Sequence, residues 1–229
     1  MSSPLRSVGF QFLEVLKSLK KKKRSKKGAL SVGNTSQLQV VDSLVLKMGK
    51  WFIEFFLVFI GYVAAYTFTL GFTYPLQKIL FPENPLIASL LFLPHGVRAL
   101  AFFLFGLKAA IYLTPAHYAM WYISVHGTDL SMDAFAPIVS ILGALIGYIL
   151  YLGVRNLLPK NIRDKGWALV TIIIIFSAFF NSLGLSRLHS SMSDFEHLFA
   201  YFLGDTLGGL ILLFLAMYIW RILKNTKFE

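Results

Sequence analysis

The chain has 229 residues, of which 56% are hydrophobic and only 14% are charged, and it contains no cysteine. A soluble domain averages about a quarter charged residues, so this composition excludes an ordinary soluble domain and favours an integral membrane protein. The missing cysteine excludes disulfide frameworks, thiol catalysis and cysteine metal sites. The formal net charge of +11 belongs mainly to residues that flank apolar runs, which is typical of membrane topology.

The predicted domains are a basic arm (1–49), a transmembrane helical domain (50–222) and a short basic tail (223–229). In the arm, Leu5 to Leu19 shows the one-sided apolar pattern of an interfacial helix, and residues 25–37 have the composition of a linker. The basic run between them has three interpretations: a topology signal alone, contact with anionic lipid headgroups, or nucleic-acid or partner binding. Nucleic acid is not predicted, because no base-reading motif accompanies the run. The basic run consists of Lys20, Lys21, Lys22, Lys23 and Arg24.

Six apolar runs follow the arm, and they predict an all-α polytopic bundle with about six spans. The second and third runs adjoin almost without a loop, so a five-span fold with a re-entrant second segment is the alternative. The predicted spans are 51–74, 85–106, 107–125, 134–157, 167–185 and 197–220.

The charges predict which side the termini face. With the N-terminus inside, nearly all of the 22 lysines and arginines lie on the cytoplasmic side, and Lys78 and Arg187 are the exceptions outside. The positive-inside rule therefore predicts that both termini are cytoplasmic, in a multi-pass membrane protein.

Two charged residues lie deep within the predicted spans, where a charge requires a stabilising partner. A charge at mid-bilayer costs about 2.5–3.5 kcal/mol on insertion scales. Arg98 in the second span and Asp205 in the sixth are predicted at similar depths, within reach of each other, with His95 and Asn181 as neighbours. We predict an intramembrane polar pair. It is either purely structural or part of a ligand pocket, unless the two residues never meet.

Proline and glycine beside these residues predict a broken helix and close packing. Pro94 and Gly96 lie in the stretch "PHGVR", where we expect the second span to kink or unwind. Freed backbone groups at that depth must face protein or water rather than lipid. Gly204 and Gly208 flank Asp205 and would let a neighbouring helix approach closely.

No pattern predicts an enzyme, a metal site or a cofactor. The nucleophile motif G-x-S-x-G and the zinc motif H-E-x-x-H are both missing. Glu54 is interpreted as an interfacial residue and His117 as a packing histidine. The loop with His189 and His197 is interpreted as an ordinary polar loop.

Two stretches carry a family resemblance: "LPHGVRALAFFLFGLKAAIYL" and "YFLGDTLGGLILLFLAMY". The first resembles the proline-glycine opening, apolar run and glycine-basic turn of the bacterial membrane-associated sensor domains of the first MASE class. The second resembles that family's aromatic, glycine-aspartate, glycine signature. The resemblance covers about residues 50–222, although family members have about eight helices, and the proline usual after the aspartate motif is missing here. It implies roles for Pro94, Gly96, Arg98, Gly106, Gly204, Asp205 and Gly208.

The resemblance implies a sensor-like or partner-binding membrane module. Family members usually carry a signalling output domain, and none follows the sixth span, so we expect this chain to act through another protein. A small anionic ligand at the polar pair, and lipid headgroups at the arm, are the other predicted partners. The alternatives are a substrate-binding or accessory subunit of a small-molecule transporter, or a structural subunit of a larger membrane complex.

Overall fold

The chain folds into α-helices throughout the part that the computed structural model describes, residues 35–82, 89–127, 133–188 and 194–225. A π-helical turn, Thr69–Thr73, joins α1 to α2 without a break, and a 3-10 turn, Arg155–Leu157, follows α5. The helices are α1 Thr35–Phe68, α2 Tyr74–Leu80, α3 Pro94–Phe105, α4 Lys108–Gly127, α5 Ala136–Val154, α6 Lys160–Arg163, α7 Gly166–Leu188 and α8 Asp194–Asn225.

Four of the described helical segments are long and apolar enough to cross a membrane: Val45–Leu80, Ala136–Leu157, Gly166–Leu188 and Phe195–Asn225. Many large apolar side chains on these segments are exposed on the surface of the bundle, which is expected where a helix faces lipid. The predicted all-α membrane fold is confirmed at this level.

The second predicted span differs from expectation, because its helical part is only α3. This helix has 12 residues and is about 18 Å long, which is short of a hydrocarbon core of about 30 Å. Residues 89–93 enter the bundle without helical structure. The helix starts at Pro94, whose missing N–H costs nothing in the first turn. The break therefore lies before Pro94, and the prediction that placed it within "PHGVR" is wrong by a few residues.

Gly106 separates α3 from α4 and reverses the chain. Its φ of 61° lies in the left-handed region, which glycine reaches without steric cost. The helix α4 has 20 residues, about 30 Å, so it is long enough to cross a membrane. It is less apolar than the four segments above, because its buried face includes His117 and Ser124.

Contacts along the helices define their directions. The helices α1 and α4 are parallel, since the Tyr62 ring stacks on His117 near the middle and Tyr66 meets Ser124 further along. The helix α3 is antiparallel to α1, because Phe92, just ahead of α3, packs on Tyr66. Segments α1–α2, α3 and α4 therefore run in alternating directions.

The second half of the bundle continues this alternation. The helices α5 and α7 are antiparallel, since Gly143 abuts Asn181 while Gly147 abuts Ser177. The helix α8 returns antiparallel to α7 and lies parallel to α3, because Gly96 packs against Gly209 of α8. Two apolar cores result: one lies mainly between α1, α3 and α4, and the other between α3, α5, α7 and α8.

The predicted boundary between arm and membrane domain falls inside a helix. The helix α1 begins at Thr35 and continues into the first membrane segment, so the end of the predicted linker (25–37) is helical. The predicted interfacial helix (Leu5 to Leu19) and the basic run Lys20 to Arg24 lie outside the described residues, as do residues 226–229 of the predicted tail.

Candidate functional site

A buried polar cluster occupies the centre of the bundle. His95 and Arg98 come from the first turns of α3, Asn181 from α7 and Asp205 from α8. Arg98 and His95 are 0% exposed, Asn181 is 1% exposed and Asp205 is 3% exposed. The structure thus brings together all four residues that the sequence placed at the intramembrane site.

Arg98 makes polar contacts on two sides of its guanidinium. Its Nη1 donates to the carbonyl oxygen of Ser140 on α5 at 3.3 Å. Its Nη2 lies 3.4 Å from Asp205 Oδ1 and 2.8 Å from His95 Nδ1. The guanidinium carbon lies 5.7 Å from the centre of the Phe92 ring, which is within the range of a cation–π contact. Arg98 therefore joins three helices and the non-helical segment 89–93.

Asp205 receives donors from three directions. Arg98 approaches Oδ1, while Asn181 donates to Oδ2 through Nδ2. His95 Nδ1 lies 3.2 Å from the same Oδ2. A buried carboxylate is stable only when its charge is balanced and its lone pairs accept hydrogen bonds. The cluster meets both conditions. Arg98 balances the charge of Asp205, and neighbouring N–H groups donate to both of its carboxylate oxygens.

A neutral His95 has two proton arrangements, and the second requires Arg98 Nη2 to move away from His95 Nδ1, because two donors cannot face each other at 2.8 Å. In the first, Nε2 carries the hydrogen and donates to the carbonyl oxygen of Ile174 at 3.2 Å, and Nδ1 accepts from Arg98. In the second, the Ser177 hydroxyl donates to Nε2 at 2.9 Å, and Nδ1 carries the hydrogen and donates to Asp205. The two arrangements differ in how many donors reach Asp205, so the charge pair and the histidine tautomer are coupled.

Some polar atoms of the cluster have no hydrogen-bond partner among the described residues. These atoms are Arg98 Nε and Asn181 Oδ1, both of them buried. A buried polar group without a partner costs about 1–3 kcal/mol, so such groups usually bind water or a ligand. The cluster thus offers both a donor and an acceptor to a further molecule.

The non-helical segment 89–93 is seated on α8 through glycine. A Cβ at Gly208 would collide with the backbone of Phe92, and one at Gly204 would collide with the carbonyl oxygen of Ser89. The sequence predicted close approach at both positions. The observed partner is the non-helical segment 89–93, so the prediction that a helix approaches here is wrong, because this segment enters the bundle before α3 begins.

Two of the backbone N–H groups freed by this break find partners on other helices. The Phe92 N–H donates to the carbonyl oxygen of Gly204 at 3.0 Å. The Leu90 N–H donates to the side-chain Oε1 of Gln77 at 2.8 Å. Both contacts follow the rule that non-helical backbone at membrane depth must find partners in protein or water. They hold α3, and with it Arg98, in position.

Sequence reasoning missed Gln77, Ser177 and the carbonyl of Ser140. Ser177 lies four residues before Asn181, so both occupy one face of α7, and this helical spacing was a usable signal. Gln77 lies 13 residues before its partner, and no local pattern links the two. A carbonyl acceptor such as that of Ser140 carries no sequence signal at all.

Glu54 and His117 lie apart from the cluster. Glu54 lies 3.5 Å from Lys50 and accepts a hydrogen bond from Tyr112 at 2.9 Å, with 15% of its side chain exposed. His117 is buried, as a packing residue would be, and stacks on Tyr62. The described residues contain no group of acidic and histidine side chains arranged to hold a metal ion, and His189 lies outside them.

Comparison with protein-family models, with curated proteins and with solved structures finds no match for this chain.

Proposed function

We propose that this protein is a sensor-like membrane module whose ligand-responsive element is the polar cluster around Arg98 and Asp205. The observation that carries the proposal is a charge pair buried beside a broken helix, with Arg98 Nε and Asn181 Oδ1 unpartnered among the described residues. Broken helices at membrane depth are where membrane proteins place polar binding sites. Intramembrane charges are costly and mark functional sites by default.

The ligand that fits this site is small and anionic, or carries an acceptor and a donor close together. An acceptor would bind at Arg98 Nε, and a donor would bind at Asn181 Oδ1. The two proton arrangements around His95 supply a bistable element. A ligand that competes for Arg98 favours the arrangement in which His95 donates to Asp205, because the carboxylate then retains its donors.

The proposed topology has six passes with both termini in the cytoplasm of a bacterial inner membrane. The alternating directions of α1–α2, α3, α4, α5, α7 and α8 support it, with segment 89–93 extending α3 into a complete second pass. The charge distribution of the loops supports the orientation. Action through another protein rests on the resemblance to membrane-associated sensor domains.

A structural role for the pair is the second candidate, and one observation favours it. Arg98 is 0% exposed and Asp205 is 3% exposed, so the described state is closed. In that role the pair only joins α3 to α8 within a subunit of a larger membrane complex.

Native mass spectrometry of protein purified in gentle detergent separates the two candidates. The proposal predicts a small molecule bound to the wild type and lost in Arg98→Lys, which keeps the charge but removes Nε. The exposed Arg163 provides the control, and Arg163→Lys should retain the molecule. A wild-type chain without any small molecule, held in a stable protein complex, would contradict the sensor proposal and support the structural role. Co-purification with an ATPase pair would instead indicate a transport subunit.

A further inference from the structure

A second polar feature runs along the far half of the first membrane segment, away from the N-terminus. One buried face of this segment carries a hydroxyl or amide group at every turn, although the rest of the segment is strongly apolar. We call this face the α1 stripe. Its residues are Tyr62, Tyr66, Thr69, Thr73 and Gln77, which are 2%, 6%, 1%, 8% and 6% exposed.

The π-helical turn keeps the α1 stripe on one face. It spans Thr69–Thr73, the middle of the stripe. In an α-helix, side chains four residues apart shift around the helix axis, and the wider π-turn offsets this shift. Such π-turns occur frequently at functional sites. The stripe thus reaches from the level of His117 to the end of α2, where Gln77 binds segment 89–93.

The threonines of the stripe offer acceptors rather than donors. The Thr69 hydroxyl donates to the carbonyl oxygen of Ala65 at 2.9 Å, and the Thr73 hydroxyl donates to that of Thr69 at 2.7 Å. Because their hydrogens are used within the helix, the hydroxyl oxygens present lone pairs. This surface suits a molecule that donates hydrogen bonds.

His117 forms the inner end of the stripe. Its Nδ1 lies 3.0 Å from the carbonyl oxygen of Leu113, which can only accept, so Nδ1 carries the hydrogen. In the neutral ring Nε2 is then a bare acceptor, and it is buried without a partner among the described residues. The ring stacks on Tyr62 with centroids 4.1 Å apart, which fixes its orientation. A buried acceptor held rigidly without a donor needs one from outside the chain.

We propose that His117 and the α1 stripe form a second site, which takes a neutral O–H donor. A neutral donor suits this buried site because it adds no unpaired charge to the interior of the bundle. The other titratable or charged groups near His117 are Tyr62, Tyr66, His95 and Arg98. Water and a small alcohol-type molecule share this chemistry. The site does not depend on a ligand at Arg98.

Solid-state NMR of the full chain in lipid bilayers, with histidine labelled by ¹⁵N in the ring, tests this site. The His117 signal is identified by its loss in His117→Asn. We expect an Nε2 shift of the hydrogen-bonded neutral type, with fast polarisation transfer from water. Thr69→Val should slow that transfer several-fold, because it removes a lone pair and keeps the shape. The control is Thr171→Val, which removes a similarly bonded hydroxyl outside the stripe.

The possible outcomes each decide the question. A hydrogen-bonded Nε2 with water transfer supports the site with water as the donor. A hydrogen-bonded Nε2 without water transfer, together with an alcohol-type molecule extracted from the protein after its lipid is removed, supports the site with an organic molecule as the donor. A bare Nε2 shift without water transfer, or a doubly protonated ring, would overturn the proposal.

Discussion

In the polar cluster, the positive charge of Arg98 balances the negative charge of Asp205, and a neighbouring donor solvates the carboxylate. Asn181 tests this balance, because its amide donates to Asp205 and its side chain is otherwise buried. Asn181→Leu keeps the volume but removes the donor. We expect a loss of about 1–3 kcal/mol in the free energy of unfolding, measured in mixed micelles, because the carboxylate loses part of its solvation.

Ser182 is the matched control for Asn181. It is the next residue on α7, it is buried, and its hydroxyl donates to the carbonyl oxygen of Phe179 on the same helix. Ser182→Ala should change stability by clearly less than Asn181→Leu. Equal losses would mean that the amide of Asn181 contributes nothing specific to the carboxylate.

The elements of this bundle approach each other where glycine removes the side chain. A Cβ at Gly147 would overlap the backbone of Ser177, so α5 and α7 must separate if the position is filled. We expect Gly147→Ala to destabilise the fold by about 1–3 kcal/mol, the usual cost of overpacking. The thermal midpoint in detergent is the readout. Gly153→Ala on the same helix meets nothing within 4 Å and should be neutral.

The seat of segment 89–93 on α8 makes a different prediction for Gly208. Gly208→Ala pushes Phe92 away from α8, and Phe92 packs on the Arg98 guanidinium. The variant should therefore lose the small molecule proposed for the Arg98 site, as well as stability. Gly153→Ala, which meets nothing within 4 Å, should retain the molecule. If both variants retain the small molecule, the packing of segment 89–93 on α8 is not required for binding at the Arg98 site.

The predicted second span shows which features the local sequence can predict and which it cannot. Arg98 and Asp205 were paired correctly because each charge, deep in an apolar run, required a partner at its own depth. The length of α3 was not predictable in the same way. Residues 89–93 are as apolar as a helix would be, and they stay unwound because Gly204 and Gln77 accept their N–H groups. Those partners lie far away in the chain, so no window of sequence contains the reason.

At the scale of the whole molecule, the proposed topology of six alternating passes places the start of α4 and the chain segment around α6 on the side of the termini. The chain has no cysteine, so single cysteines can report sidedness directly. Lys108→Cys and Arg163→Cys should react with an impermeant maleimide only in permeabilised cells. Asp133→Cys, at the opposite end of the bundle, should react in intact cells. Labelling of Lys108→Cys in intact cells would contradict a complete second pass.

The most direct test of the central claim, a charge pair that joins α3 to α8 beside the break, is a double-mutant cycle on Arg98 and Asp205. The free energy of unfolding is measured in mixed micelles for the wild type, Arg98→Ala, Asp205→Ala and the double variant. Removing one partner of a buried pair costs about 3–5 kcal/mol, because the other charge stays buried and unpaired. We predict that the double variant loses clearly less than the two single losses together. If the double variant folds and neither single variant does, that result would support the pair most strongly. Additive losses would contradict the pairing on which the account rests.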